Sequence, residues 1–166
     1  MRRLRNAALP IVLGATALVA AACSTGGGGY GQPTATSTSA PAEVAPTTTI
    51  GLAGSPLGSL LVDEQGRTVY LFQQDRSGVS TCYDACAAAW PPVLTSGTPG
   101  AAVDVSRGDL GTTVRRDGAR QVTYHGHPLY RFAGDARPGD TGGQGLEAFG
   151  AEWYVVGADG RPIDAS

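Results

Sequence analysis

Apolar and polar positions alternate along this chain in short runs, and one run returns. Tyr70-Leu71-Phe72-Gln73-Gln74-Asp75 recurs as Tyr130-Arg131-Phe132-Ala133-Gly134-Asp135, an offset of 60 residues. In the same register Gly58 falls on Gly118, Val62 on Val122, Gly66 on Gly126 and Val69 on Leu129. A register shared over this length marks two copies of one supersecondary unit. The period of a strand puts Tyr70 with Phe72, and Tyr130 with Phe132, on one face. Gly66 and Gly126, four residues before each Tyr, are expected at positive φ in tight turns. Asp75 and Asp135 follow each strand, where a short carboxylate is expected to accept backbone N–H groups two or three residues on. The motif residues therefore read as structural.

The remaining pattern predicts a mainly β chain. Leu60 to Val62, a polar turn, then Thr68 to Phe72 reads as strand, turn, strand. Residues Thr81 to Trp90 are the one predicted helix, capped by Ser80 or Thr81 and stopped by Pro91-Pro92. Hairpins are expected around Asp117-Gly118, His125-Gly126 and Asp159-Gly160. Asp135 to Gly145 reads as a Gly-rich loop, and Trp153 stands near the place that Trp90 holds in the first copy. The predicted fold is one compact domain of two pseudo-repeats of antiparallel hairpins with one short helix. Repeat one covers about 58–95 and repeat two about 112–157. Neither copy has enough strands to bury a face alone, so the two are expected to share one core.

The start of the chain has a different character. A basic Met1–Arg5 precedes an uncharged apolar run from Ala7 to Ala22, interrupted by Pro10 and too short for a comfortable spanning helix. Ala20-Ala21-Ala22-Cys23 resembles a bacterial lipobox, departing from it at Ala20, where an aliphatic residue is preferred. That similarity implies cleavage before Cys23 and a diacylglycerol on its sulfur. The alternative is an ordinary secretory signal cut at the same place. The expected organisation is a signal peptide at 1–22, a lipidated Cys23 with a flexible Gly/Ser/Thr/Pro tether to 56, and the β-rich domain at 57–166. The expected location is the extracytoplasmic face of the cell membrane, or the medium if Cys23 is not acylated. With Cys23 spent on lipid, Cys82 and Cys86 remain. An oxidising compartment favours their disulfide, and their spacing permits it. Half of a metal or haem site is the competing reading, and it lacks a second Cys pair or a Cys-x-x-Cys-His run.

Charge narrows the partners. All twelve basic residues are Arg, and removing Arg2, Arg3 and Arg5 with the signal leaves nine against fourteen acids, a net charge of −5. That argues against nucleic acid and against a polybasic grip on lipid. Arg115, Arg116 and Arg120 are expected on a solvated strand face. His125 and His127, straddling Gly126, are candidate copper or zinc ligands, with no third ligand named by spacing. Asp135, Asp140 and Glu147 around the Gly-rich loop are candidate Ca²⁺ ligands without a recognised calcium-loop spacing. No Gly-x-Ser-x-Gly elbow is present, and the residues name no catalytic group. The sequence requires no cofactor.

The paired Tyr-x-Phe-x-x-Asp motifs, Cys82-x-x-x-Cys86, Trp90-Pro91-Pro92 and Gly126-His127-Pro128-Leu129-Tyr130 together resemble a bacterial family. It is the secreted-repeat lipoproteins marked by Tyr-x-(Phe/Trp/Tyr)-x-x-Asp, which have no established function. The resemblance covers Gly58 to Val156. It implies an exported or lipid-anchored domain of paired repeats and supplies no catalytic residue. The Arg-only, Ala/Gly-rich composition is similar to that of high-GC actinobacterial proteins. The reading that follows is a non-catalytic binding or accessory lipoprotein of the envelope. Its partner is another envelope protein or a small ligand, met by the Asp135–Gly145 loop and the His125/His127 turn. The alternative is an envelope redox or metal protein, handling copper or haem through the His or Cys pair; a hydrolase ranks below both.

Overall fold

A computed structural model describes residues 47–164. Cys23, the signal segment and the expected tether as far as Pro46 lie outside the described residues. Among the described residues nine strands and one short helix follow one another: β1 (Thr49–Ser55), β2 (Gly58–Asp63), β3 (Tyr70–Phe72), α1 (Ala85–Ala89), β4 (Gly100–Ala101), β5 (Leu110–Val114), β6 (Arg120–Tyr124), β7 (His127–Pro128), β8 (Leu146–Ala148) and β9 (Ala151–Val155). Short 3₁₀ turns lie at Arg76–Gly78 and Arg107–Asp109. The strands form three small sheets, ordered β2-β1-β4, β3-β9-β8 and β5-β6-β7. The mainly β expectation holds.

Two element boundaries differ from expectation. Strand β1 occupies the end of the stretch read as tether, pairing antiparallel with β2 from Ile50↔Asp63 to Ser55↔Gly58. Its Thr, Gly and Ala residues disguise it, yet Ile50 is fully buried and joins the aliphatic core. The predicted helix shrinks to α1, with Asp84 at φ 55 before it. Thr81 cannot cap a helix, because its N–H and its hydroxyl both donate to Asp75 Oδ1, at 2.8 and 2.6 Å. Cys82 therefore sits ahead of the helix. It still reaches Cys86, at a Cα separation of 5.2 Å, and the disulfide is formed.

The copies meet by exchanging strands. Motif residues Tyr70 and Tyr130 pair directly, each N–H donating to the other's carbonyl at 2.8 and 2.9 Å. Strand β9, which belongs to the second copy, pairs with β3 of the first through Tyr70↔Val155, Leu71↔Tyr154 and Phe72↔Trp153. The segment after Trp90, which belongs to the first copy, pairs with the second through Pro92↔Tyr130 and Leu94↔Gln121. Each copy thus completes its sheet with the other's last segment, in both directions, as a local twofold requires.

The side chains follow the same exchange. Trp90 and Trp153 stack at 4.0 Å between ring centroids, at the centre of an aromatic core. Each Tyr stands edge-on to its own copy's Trp, Tyr70 to Trp90 at 5.4 Å and Tyr130 to Trp153 at 5.2 Å. Each Phe crosses over: Phe72 stacks on Trp153 at 4.0 Å and Phe132 packs on Trp90 at 4.5 Å. Offset aromatic pairs of this kind add to the stabilisation that burial alone provides. A second, aliphatic cluster of Ile50, Leu61, Val69, Val93, Val122 and Leu129 also draws on both copies. Gly66 and Gly126 take the expected positive φ, 75° and 82°.

Candidate functional site

The acids of the repeat bind across it. Tyr70 donates its phenol to Asp135 Oδ2 at 2.6 Å, and Tyr130 donates to Asp75 Oδ2 in a shorter bond. The other oxygen of each acid closes a loop: Asp75 Oδ1 takes Thr81, and Asp135 Oδ1 takes the N–H of Gly142 at 2.9 Å. The loops span six and seven residues, not the two or three of the expected Asx turn. Burial raises the Asp75 carboxyl above its ordinary range, against the opposing bonds from Thr81 and Tyr130. Both phenols are also pushed up, first by burial and then by the acid each one binds.

Arg115 corrects a second expectation. It is not on a solvated face but buried, donating to Ser80 Oγ at 2.6 Å, Gln121 Oε1 at 2.7 Å and the Cys82 carbonyl at 2.8 Å. Ser80 Oγ lies 2.8 Å from the Tyr130 phenol. The single phenol proton goes to Asp75, so the serine hydroxyl must donate to Tyr130. A directional chain results, from Arg115 through Ser80 and Tyr130 to Asp75, placing a buried cation opposite a buried acid. Arg116 is exposed, 2.7 Å from Asp84 and over the Tyr83 ring, and Arg120 donates to Thr112. No sequence signal separates Arg115 from its neighbours.

The turn histidines lie at the rim of a groove of about 650 Å³. One bank is the Arg76–Gly78 turn of the first copy, the other the His125–His127 turn of the second, with Leu71, Phe72 and Pro162 between them. Gly78 is needed at the contact, since a Cβ there would come within 3.0 Å of the Gly126 carbonyl. His125, at φ 47, packs against Gly160 and stands 3.5 Å from Asp109 Oδ2. His127 is exposed on β7. A smaller pocket of about 250 Å³ occupies the equivalent place across the twofold, lined by Arg67, Arg131, Phe132, Ala133 and Asp135. There Arg67 Nη2 and Arg131 Nη1 share one acid, Asp63, at 2.7 and 3.6 Å.

Asp135, Asp140 and Glu147 do not join the histidines. Asp135 is engaged by Tyr70 and Gly142. Asp140 accepts the Arg137 N–H at 2.9 Å. Glu147 is exposed opposite Glu152 on the β8–β9 hairpin. The Asp135–Gly145 loop rests instead on the Gly66 turn, where Gly139 N–H donates to the Gly66 carbonyl at 3.2 Å. Strand exchange is the reason: each acid loop faces the turn of the other copy. Among the described residues no group of three or more His, Cys, Asp or Glu side chains converges as a metal site. Cys82 and Cys86 are buried in their disulfide.

Among the described residues, no helix is long and apolar enough to cross a membrane. No curated protein and no solved structure matches the chain. One family model does, twice, at residues 51–94 and 111–157, and its first match begins inside β1, the strand read as tether. Two matches spanning over half the sequence, each ending on an exchanged segment, make this chain a member of Lipoprotein_15, the secreted repeat of unknown function.

Proposed function

We propose that this is a lipid-anchored binding protein of the cell envelope, and that the groove between the Arg76–Gly78 and His125–His127 turns receives its ligand without chemical change. The supporting observation is the contrast between the motif and the groove. The motif Tyr and Asp side chains are spent on holding the copies together, whereas Arg76 and His127 stand exposed beside a space of about 650 Å³. That volume falls in the range of small-molecule sites. The secreted-repeat family supports a location outside the cytoplasm, and the Ala-Ala-Ala-Cys23 sequence supports the anchor.

The test is capture of envelope components on the full lipidated chain, compared with Arg76→Ala, His127→Ala and, as a control away from the groove, Asp140→Ala. A component held by the parent and by Asp140→Ala, and lost from both groove variants, is the expected result. Equal retention by all four overturns the groove assignment. Mass spectrometry of the exported chain tests the anchor separately: an N-terminus at Cys23 carrying diacylglycerol is expected, and an unmodified Cys23 contradicts it.

A further inference from the structure

The groove and its equivalent across the twofold have the same architecture, so their differences are informative. In register, Phe72 stands where Phe132 does, Asp75 where Asp135 does, Leu71 where Arg131 does and His127 where Arg67 does. In the smaller pocket each cation has an acid partner, because Arg67 and Arg131 both lie against Asp63. The nearby Arg137 lies 4.0 Å from Asp140. In the larger groove the balance is different. Among the described residues Arg76 has no acid within ion-pair distance, and no bond to the His127 ring is formed. The one acid among the residues lining the groove, Asp75, is already committed. Asp75 is buried, with both oxygens taken by Thr81 and Tyr130 and Arg115 as its countercharge. Asp109 faces His125.

From this contrast we infer that the groove takes a small organic carboxylate, bonded by Arg76 and His127, with its apolar part over Pro162. This rests on the groove being the ligand site. A guanidinium presents a fork of donors that matches a carboxylate, and a neutral imidazole still offers one N–H. Contact with the exposed Pro162 ring adds burial that an inorganic anion would forgo. Replacing an exposed ion-pair partner has a modest effect, so binding is expected in the millimolar range, about 1 to 10 mM.

The full chain in detergent, labelled with ¹⁵N at arginine and histidine, is titrated with sodium benzoate, with the neutral isostere benzamide, and with sodium chloride at matched ionic strength. Benzoate is expected to shift the Arg76 and His127 amide signals saturably. Benzamide, and benzoate added to Arg76→Gln, are each expected to bind about fivefold more weakly, and chloride is expected to leave both signals in place. Equal binding of benzamide and benzoate overturns the anion preference while leaving the groove as the site. Unchanged affinity in Arg76→Gln overturns the assignment to Arg76. No saturable shift from benzoate overturns the inference outright, and the capture experiment then decides whether the groove reading falls with it.

Discussion

At the scale of single residues the molecule is held by a reciprocal device. Tyr70 reaches Asp135 and Tyr130 reaches Asp75, so each motif supplies one donor and one acceptor to its twin. A bond from a buried phenol to a carboxylate contributes roughly 1.5–3 kcal/mol, and the abandoned partner adds to the loss. Tyr130→Phe should therefore cost about 3 kcal/mol in urea unfolding, since it strands both Asp75 and Ser80. Tyr70→Phe should cost less, about 2 kcal/mol, because Asp135 is only half-buried and water can replace the phenol. Equal losses, or losses below about 0.5 kcal/mol, contradict this reading.

The same groups set the pH response. Asp75 holds its proton more readily folded than unfolded, so its contribution is fully present below the ordinary value of 3.8 and is lost as pH rises through its raised value. The stability advantage of the parent over Asp75→Asn should be largest in acid and shrink toward neutrality. For Tyr70 and Tyr130 the contribution is constant below the ordinary phenol value of 10.0 and lost above it. The phenolate absorbance of these two should appear only together with loss of the far-ultraviolet dichroism. Their ionisation in a chain still folded would contradict the burial described. What the sequence could show at this scale was conformational: Gly66 and Gly126 sit at positive φ because the turns demand it. What it could not show was partnership, since the acid bound by each Tyr is 55 or 65 residues away.

At the scale of elements, exchange replaces adjacency. Alternation of apolar positions revealed strands and hairpins, because that pattern is local. Strand β1 escaped it, since Thr, Gly and Ala carry little hydrophobic signal and only Ile50 and Leu52 mark the face it turns to the aliphatic core. The destination of β9 escaped for another reason: whether a last strand folds back on its own copy or crosses over depends on topology, not period. The consequence is testable by division. Residues 47–98 and 104–164, prepared separately, should each be unfolded and should recover native dichroism when mixed, because each lacks the segment that completes its sheet. Native dichroism in either fragment alone at low concentration contradicts the exchange. Two local features carry smaller effects. The Cys82–Cys86 ring is short, so Cys82→Ser with Cys86→Ser should cost about 2 kcal/mol and leave the fold intact. Phe149 and Gly150, the two residues between β8 and β9, both lie at positive φ, 57° and 92°. That turn suits Asn-Gly, so Phe149→Asn should raise stability by about 1 kcal/mol in the same urea assay.

At the scale of the whole molecule, both cores draw residues from both copies, and the groove is walled by one turn from each. A chain built this way has no half that can open while the other persists, so the walls of the groove hold their spacing as long as the molecule is folded. The shared core was legible in the sequence, because two copies with too few strands each must cover one another. The groove was legible only in part. His125 and His127 marked one bank, but the Arg76–Gly78 turn that forms the other was hidden by the same strand exchange that misplaced the Asp135–Gly145 loop. The most direct test is a urea titration followed amide by amide, comparing Leu71 in the first copy with Leu129 in the second. Interlocked copies predict one midpoint common to both residues; two separated midpoints, one for each half, would contradict the account.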